Sequence, residues 1–164
     1  MEPTRMKPSN YLTLLGYLVI TVSVSEAVPR YSCPPGWFFY KAYCYGFFRF
    51  HLTWSEAEYE CVSYGHDAHL ASILDDLEAS IIASHVAAYL STADVWIGIH
   101  DPKQNRRWKW NDGSMYNYRA WQSGEPNNMH NSEYCGKLTT ETQFLQWKDS
   151  QCQEESYFVC KYKR

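Results

Sequence analysis

The sequence lacks the short motifs that mark the common classes of enzyme. It contains no phosphate-binding loop, no HExxH zinc motif and no nucleophile motif. His66 and His69 have the spacing of one helical face, but Gly65 and Asp67 favour a loop and hydrogen-bonded structural roles for both histidines. The histidines are dispersed at His51, His66, His69, His85, His100 and His130. We therefore predict that the protein is not an enzyme; an active site that carries no marker is the alternative.

The sequence also lacks a hydrophobic run of the roughly 20 residues that a membrane-spanning helix needs. Its longest apolar stretch covers residues 11–24 and follows the basic Arg5 and Lys7. Ser25-Glu26-Ala27 then places small residues at the two positions that a signal peptidase reads. We predict a signal peptide over residues 1–27 and a secreted, extracellular protein with no membrane span. A short membrane anchor is the alternative.

Charge of one sign is not in excess either, since the formal net charge is -3 at pH 7. Removing residues 1–27 takes away two basic and two acidic side chains, so the net charge of the remaining chain stays at -3. No broad positive field is available to attract nucleic acid, and no nucleic acid partner is predicted. No repeat or Pro/Gly-rich linker divides residues 28–164, which are predicted to form one domain.

Cysteine is what the sequence does have, and every cysteine follows the proposed cleavage point. An even number in a small exported domain indicates three disulfides, although spacing alone leaves their connectivity open. A zinc site is the alternative; it is disfavoured because no CxxC pair exists and an oxidising compartment favours disulfides. The six residues are Cys33, Cys44, Cys61, Cys135, Cys152 and Cys160.

Two segments carry helical signals. Thr53-Trp54-Ser55-Glu56 has the form of a capping box, with Thr53 at the helix start and Glu56 reaching back. The predicted inner face of this helix comprises Trp54, Ala57, Cys61 and Val62. A second helix is predicted to start near Asp75, with Glu78 three residues on. Its apolar residues at helical spacing are Leu77, Ile81, Ile82, Val86 and Leu90.

The remaining segments indicate strands and one long polar loop. The predicted strands are aromatic-rich, apolar or alternating stretches at residues 36–40, 44–48, 95–99, 108–110 and 157–160. The loop between Tyr116 and Cys135 contains Gly124, Pro126 and several asparagines, and irregular loops of this length are usually functional. Two early helices followed mostly by strands favour the α+β class.

Three short segments resemble a known family, the C-type-lectin-like domains. Trp96-Ile97-Gly98-Ile99 resembles the family's core strand, Glu125-Pro126-Asn127 matches its sugar-binding "EPN" loop, and residues 147–152 resemble its "WND" segment leading to a cysteine. The resemblance extends from Ser32 to the C-terminus. It implies the long form of the domain: two helices packed on small antiparallel sheets. It also implies the disulfides Cys33–Cys44, Cys61–Cys160 and Cys135–Cys152.

Within this family, the chain most resembles the regenerating-islet-derived (Reg) group of small secreted lectins. The resemblance rests on Cys33-Pro34-Pro35-Gly36-Trp37, on residues 44–48 and 68–73, and on Ile97-Gly98-Ile99-His100-Asp101-Pro102. Eggshell-matrix lectins of birds and reptiles share some of these strings. They are a neighbouring possibility.

The resemblance implies a calcium-linked sugar site, because sugar-binding members hold calcium and two sugar hydroxyls with the same side chains. Calcium takes about six to eight oxygen ligands. The matching positions here, each bearing oxygen, are Glu125, Asn127, Glu133 and Asp149. Pro126 fits a cis peptide that aims its two neighbours at the metal. The Glu-Pro-Asn form implies preference for mannose-type hydroxyls over galactose.

Lys148 departs from this pattern, since it stands where the family places an asparagine. An ammonium has no acceptor oxygen and repels a divalent cation. Lys148 must therefore swing into solvent, weaken the metal site, or pair with Glu125 or Glu133 and partly replace the metal. We expect weak calcium binding, or sugar binding without calcium that includes Lys148 among the carbohydrate-contacting residues. A loop that is only a solvated polar surface is the alternative.

Two further groups of residues bear on glycan binding. The aromatic residues in or beside the loop offer stacking platforms, although packing is the preferred role for Tyr116, Tyr118, Trp121 and Tyr134. A basic cluster suits heparin-like sulfated glycan, with a solvated loop as the alternative; it comprises Lys103, Arg106, Arg107 and Lys109. Core positions are predicted for Trp96, Trp110 and Trp147.

The leading hypothesis is a secreted lectin for mannose-containing polysaccharide or glycoprotein. The alternative is an extracellular matrix, eggshell-type or receptor-binding signalling protein whose sugar site is lost. A strongly acidic run would favour mineral binding, and the sequence contains only short acidic stretches such as Asp75-Asp76.

Overall fold

The computed structural model describes residues 33–89 and 92–164, so the predicted signal peptide lies outside the described residues. The two α-helices are α1 (Trp54–Val62) and α2 (Asp76–Ala87). The strands are β1 (Trp37–Tyr40), β2 (Tyr43–Leu52), β3 (His69–Leu70), β4 (Val95–His100), β5 (Lys109–Trp110), β6 (Cys135–Leu138), β7 (Trp147–Ser150) and β8 (Ser156–Lys163). This confirms the predicted α+β class. No described helix has the length and apolar character needed to cross a bilayer.

All eight strands belong to one sheet, whose main path is β1-β2-β8-β4-β6-β7. The strand β3 pairs with β8, and β5 pairs with β4. Every pairing is antiparallel except that of β4 with β8, where Val95 lies opposite Tyr157 and Trp96 opposite Phe158. The small antiparallel sheets expected from the resemblance are therefore joined into one sheet by this single parallel contact.

The first helix begins as predicted but buries a narrower face. The capping box is present, since Thr53 Oγ1 accepts from the Glu56 amide and Glu56 Oε2 accepts from the Thr53 amide at 3.0 Å. Trp54, Ala57 and Cys61 are buried. The prediction for Val62 is wrong, because its side chain is 47% exposed. One residue beyond Cys61 lies about 100° further around the helix, which carries Val62 past the buried face.

The second helix also begins as predicted, with Asp75 Oδ1 accepting from the Glu78 amide at 2.8 Å. Its buried face, however, combines one acidic and four apolar residues: Glu78, Ala79, Ile82, Ala83 and Val86. Leu77, one of the apolar residues at helical spacing, is 60% exposed, and Glu78 takes the inward position. Leu90 lies outside the described residues.

Glu78 is buried because the C-terminal strand provides a cation for it. Lys161 Nζ lies 2.6 Å from Glu78 Oε1, and both side chains are almost fully buried. The hydroxyl of Tyr45 donates to the same carboxylate, and Lys161 also donates to the Ser72 carbonyl at 3.1 Å. A buried charge must be paired and hydrogen-bonded to be tolerated, and this network meets both conditions.

The predicted disulfides and tryptophan core are confirmed. The bonds are Cys33–Cys44, Cys61–Cys160 and Cys135–Cys152. Trp96, Trp110 and Trp147 are each at most 1% exposed. The bond from Cys61 to Cys160 fastens α1 to β8, and the bond from Cys135 to Cys152 fastens the start of β6 to the residues just beyond β7.

Replacing Lys161 with methionine tests the buried pair. We expect Lys161→Met to lower the free energy of unfolding by about 3–5 kcal/mol, because Glu78 is left buried without its cation. Lys161→Met combined with Glu78→Leu should recover part of the loss. The matched control Lys41→Met removes an exposed pair with Asp75 and should leave the unfolding midpoint nearly unchanged. Urea denaturation measures all three, and equal midpoints for the single variant and the control would contradict the assignment.

Candidate functional site

The candidate site is built on the loop between Trp121 and β6, which we call the acidic loop (residues 122–134). Its entrance is tied to β7, since the Gln122 amide donates to the Trp147 carbonyl at 2.8 Å. Its exit continues directly into β6, which pairs with β7 and places Gly136 opposite Asp149. Both ends of the loop therefore lie beside β7, and this brings Asp149 to the residues of the predicted Glu-Pro-Asn motif.

Asp149 holds the centre of the acidic loop through two backbone hydrogen bonds. Its Oδ1 accepts from the Asn127 amide at 2.9 Å, and its Oδ2 accepts from the Asn128 amide at 2.7 Å. The side chain is buried, at 2% exposure of the residue. The Glu125–Pro126 peptide is cis, as the sequence predicts.

The other three predicted ligands lie around this anchor. The Asn127 side-chain amide donates to Glu125 Oε1 at 2.9 Å, while Asn127 Oδ1 accepts from the Met129 amide at 2.8 Å. Glu133 Oε2 accepts from the same amide at 2.9 Å. The structure thus brings together Glu125, Asn127, Glu133 and Asp149. Asn127 is exposed, and Glu125 and Glu133 are half-buried.

The crowding of carboxylates changes the acidity of the loop. Partial burial, followed by a hydrogen bond shared with Asp149 and the charges of Asp149 and Glu133, raises the pKa of Glu125 to about 7. Burial also raises the pKa of Glu133, with smaller contributions from Asp149 and Glu154. Both shifts reflect carboxylates that lie close together, an arrangement that favours hydrogen-bond donors or cations at the loop.

Lys148 does not join this cluster. Its Nζ lies 2.5 Å from Asp94 Oδ2, just before β4, so of the alternatives for Lys148 the pairing with Glu125 or Glu133 is not the one adopted. Burial lowers the pKa of Lys148, but the hydrogen bond and charge of Asp94, with Glu141 and Glu154, outweigh this and raise it.

The residues of the loop fit a calcium ion only in part. Glu125, Asn127, Glu133 and Asp149 carry hard oxygens of the kind calcium prefers. Several of these oxygens already accept backbone amides, and Lys148 provides no oxygen in place of the expected asparagine. Although Glu125, Glu133 and Asp149 are neighbours, no three His, Cys, Asp or Glu side chains within residues 33–89 and 92–164 are arranged so that they could hold a metal.

The aromatic residues beside the loop mainly pack, as predicted. Trp121 stands edge-on to both Trp108 and Trp147, at centroid distances of 4.8 Å and 5.7 Å, and its indole N–H donates to the Tyr116 hydroxyl. The Tyr118 ring lies edge-on to Trp147 at 5.7 Å. These contacts rigidify the surface next to the acidic loop.

The structure divides the predicted basic cluster into two parts. Arg106 and Arg107 line a cavity of about 450 Å³, whereas Lys103 and Lys109 do not. Sequence reasoning missed Arg119, which lines the same cavity. Arg119 lies in the irregular segment before Trp121, apart from the other arginines in the sequence, so no local pattern indicated that it joins them. The full lining is Arg106, Arg107, Trp108, Tyr116, Arg119, Trp121 and Pro126.

The structural interpretation of His69 is confirmed. Its Nδ1 lies 2.5 Å from Glu58 Oε1, and Glu58 Oε2 accepts from the Leu70 amide at 2.9 Å. His66 lies in the turn after α1, where Gly65 and Asp67 both have positive φ, as a loop requires. The Glu58 carboxylate thus fastens the start of β3 to α1.

The anchoring role of Asp149 is testable by amide hydrogen exchange. Asp149→Ala removes the acceptor of two loop amides, and exchange at Asn127 and Asn128 should accelerate by about tenfold or more, as expected for hydrogen bonds to a charged group. The control Asp94→Ala frees Lys148 and the Thr140 amide but should leave these two amides protected. Unchanged exchange at Asn127 and Asn128 in Asp149→Ala would contradict the anchor.

Comparisons with known proteins agree with this geometry. The family model described as "Lectin C-type domain" matches residues 51–162. The chain is 44% identical to regenerating islet-derived protein 4 of Homo sapiens over 93% of this chain and 94% of that protein. It is 39% identical to the C-type lectin mannose-binding isoform of Notechis scutatus scutatus, over 93% of this chain and 96% of that protein.

A solved structure shares the fold. Human lithostathine superposes with a TM-score of 0.76 at 40% identity, covering 80% of this chain and all of that one. The family match spans well over half of the chain, and the sequence similarity to regenerating islet-derived protein 4 extends over nearly its whole length. The chain therefore belongs to the C-type lectin domain family, in its regenerating islet-derived (Reg) group.

Proposed function

We propose that this protein is a secreted, non-catalytic lectin that binds mannose-type glycans through the acidic loop. The observation that carries the proposal is the convergence of Glu125, Asn127 and Asp149 around the cis Glu125–Pro126 peptide. The similarity to the Notechis scutatus scutatus lectin named as mannose-binding supports the same ligand class. Membership of a lectin family supports sugar binding in general.

The chemistry of the loop suits a pair of neighbouring sugar hydroxyls. Carboxylates accept hydrogen bonds from hydroxyls, and an amide nitrogen donates to a hydroxyl oxygen. Glu125 and Glu133 provide the acceptors, and Asn127 provides the donor. Because the backbone of the loop is held by Asp149, these groups are oriented before the sugar arrives, which reduces the entropy lost on binding.

The proposal includes weak calcium binding or none. Lys148 is occupied by Asp94 and offers no oxygen, and the carboxylates of the loop already have hydrogen-bond donors. Direct hydrogen bonds from these side chains to the sugar are sufficient for this mode of binding. Lys148, predicted as a sugar contact, pairs with Asp94 and is given no sugar contact in this proposal.

Sulfated glycans such as heparin are proposed as a second ligand class. Two of the basic residues that the sequence singled out, Arg106 and Arg107, are exposed and line one cavity. Guanidinium groups bind sulfate through paired hydrogen bonds, as they bind phosphate. The exposed Lys103 and Lys109 lie outside that cavity and add only general positive charge.

Binding to immobilised mannan, with calcium and then with excess chelator, tests the main proposal. We expect the oxidised domain of residues 28–164 to bind mannan in both conditions. Glu125→Ala should weaken binding by about tenfold, the loss expected for a charge-assisted hydrogen bond. The matched control Glu155→Ala changes an exposed glutamate outside the loop and should leave binding unchanged.

The variant Lys148→Asn tests whether calcium contributes to sugar binding. This variant restores an amide oxygen at the position that the family uses for calcium, and we expect its mannan binding to become stronger with calcium than with chelator. Loss of wild-type binding in chelator would contradict calcium independence. If a folded domain binds no mannan in either condition, the mannose proposal fails and a matrix or receptor-binding role is favoured.

A further inference from the structure

One cavity next to the acidic loop combines three arginines with aromatic rings. Its volume of about 450 Å³ is in the range of ligand-binding clefts. We call it the arginine–indole cavity, with the lining given above. Arg106, Arg107 and Arg119 are all exposed, so their guanidinium groups are accessible to a ligand.

The positive charge of this cavity is not neutralised by the protein. Among the residues that the structure describes, no carboxylate forms an ion pair with any of the three guanidinium groups. Arg106 donates to the Pro126 carbonyl at 2.6 Å, and Arg119 lies 4.9 Å from the centroid of the Tyr116 ring. These contacts orient two guanidinium groups without cancelling their charge, which leaves the cavity complementary to an anion.

The aromatic lining adds a preference for a sugar over a simple anion. Trp108 and Trp121 are half-buried and fixed edge to face at 4.8 Å, and Tyr116 receives the Trp121 N–H. Rigid aromatic rings pack against the apolar face of a pyranose at little entropic cost. Guanidinium groups beside these rings recognise a carboxylate or a sulfate ester on the sugar.

The cavity and the acidic loop share a residue. Pro126 lines the cavity, while Glu125 and Asn127 on either side of it belong to the carboxylate cluster. The two surfaces are therefore close enough for two neighbouring sugar residues of one glycan to contact one surface each. Their charges are opposite, because Glu125, Glu133 and Asp149 disfavour an anion where the arginines attract one.

We propose that the arginine–indole cavity binds an anionic sugar residue that lies beside the mannose-type residue held by the acidic loop. This inference rests on the proposed function for the loop and specifies the glycan further. The ligand is a chain in which a neutral residue and a carboxylated or sulfated residue are neighbours. Arg119, with Arg106 and Arg107, determines the preference for the anionic residue.

The test compares one neutral mannan with two derivatives prepared from it, one sulfated and one carboxylated at C6. We expect the wild-type domain to bind the better derivative about tenfold more tightly than the neutral parent. Arg119→Gln should abolish this gain and keep the affinity for the neutral parent, which also shows that the variant is folded. The matched control Lys103→Gln removes the same charge outside the cavity and should keep most of the gain. The two derivatives distinguish carboxylate from sulfate recognition.

Equal affinity for the parent and both derivatives would overturn the inference. Equal losses in Arg119→Gln and Lys103→Gln would overturn it as well, since the gain would then reflect general electrostatic attraction. Failure of the proposed function gives a different result, in which the neutral parent is not bound at all. Heparin binding that depends on Arg119 but not on Lys103 would in that case still support an anionic sugar in the cavity.

Discussion

The fold depends on the position of β8, the C-terminal strand, between β2 and β4 in the sheet. The pairing with β4 is the only parallel contact among the described strands, and it joins the β1–β2 hairpin to the strands that support the acidic loop. Two further interactions hold β8 in place, the Cys61–Cys160 disulfide to α1 and the buried Lys161–Glu78 pair to α2. The strand β8 therefore connects both helices and the β1–β2 hairpin to the strands that support the site.

The acidic loop acquires its shape from the sheet rather than from its own composition. It contains little regular structure, only the short 3₁₀ turn Met129–Asn131. Both of its ends lie beside β7, and the amides of Asn127 and Asn128 in its middle donate to the two carboxylate oxygens of Asp149. A loop fixed in this way can present Glu125, Asn127 and Glu133 in a constant arrangement. This arrangement is what a lectin needs to distinguish sugars that differ only in the direction of one hydroxyl.

Charge is separated across Pro126. Carboxylates lie on one side, where burial and mutual repulsion raise the pKa of Glu125 to about 7. Guanidinium groups that form no ion pair with a described carboxylate lie on the other side, and Lys148 is removed from both by its pairing with Asp94. A family site that elsewhere relies on a metal is thus accompanied here by a cationic cavity. Together they form a surface suited to a glycan of mixed charge.

Local signals in the sequence determined the helix starts, the core tryptophans, the cis proline and the family. Each of these depends on residues close together in the chain, such as Thr53 with Glu56 or Glu125 with Pro126. The inward faces were predicted less well, because apolar spacing cannot reveal that Glu78 is buried by Lys161 from a distant strand.

The partner of Lys148 and the grouping of Arg119 with Arg106 and Arg107 were likewise decided only by the tertiary structure. The physical reason is the same in each case. A charged side chain is placed by whichever opposite charge or cavity the folded sheet brings near it, and strand pairing sets that neighbourhood across long separations in sequence.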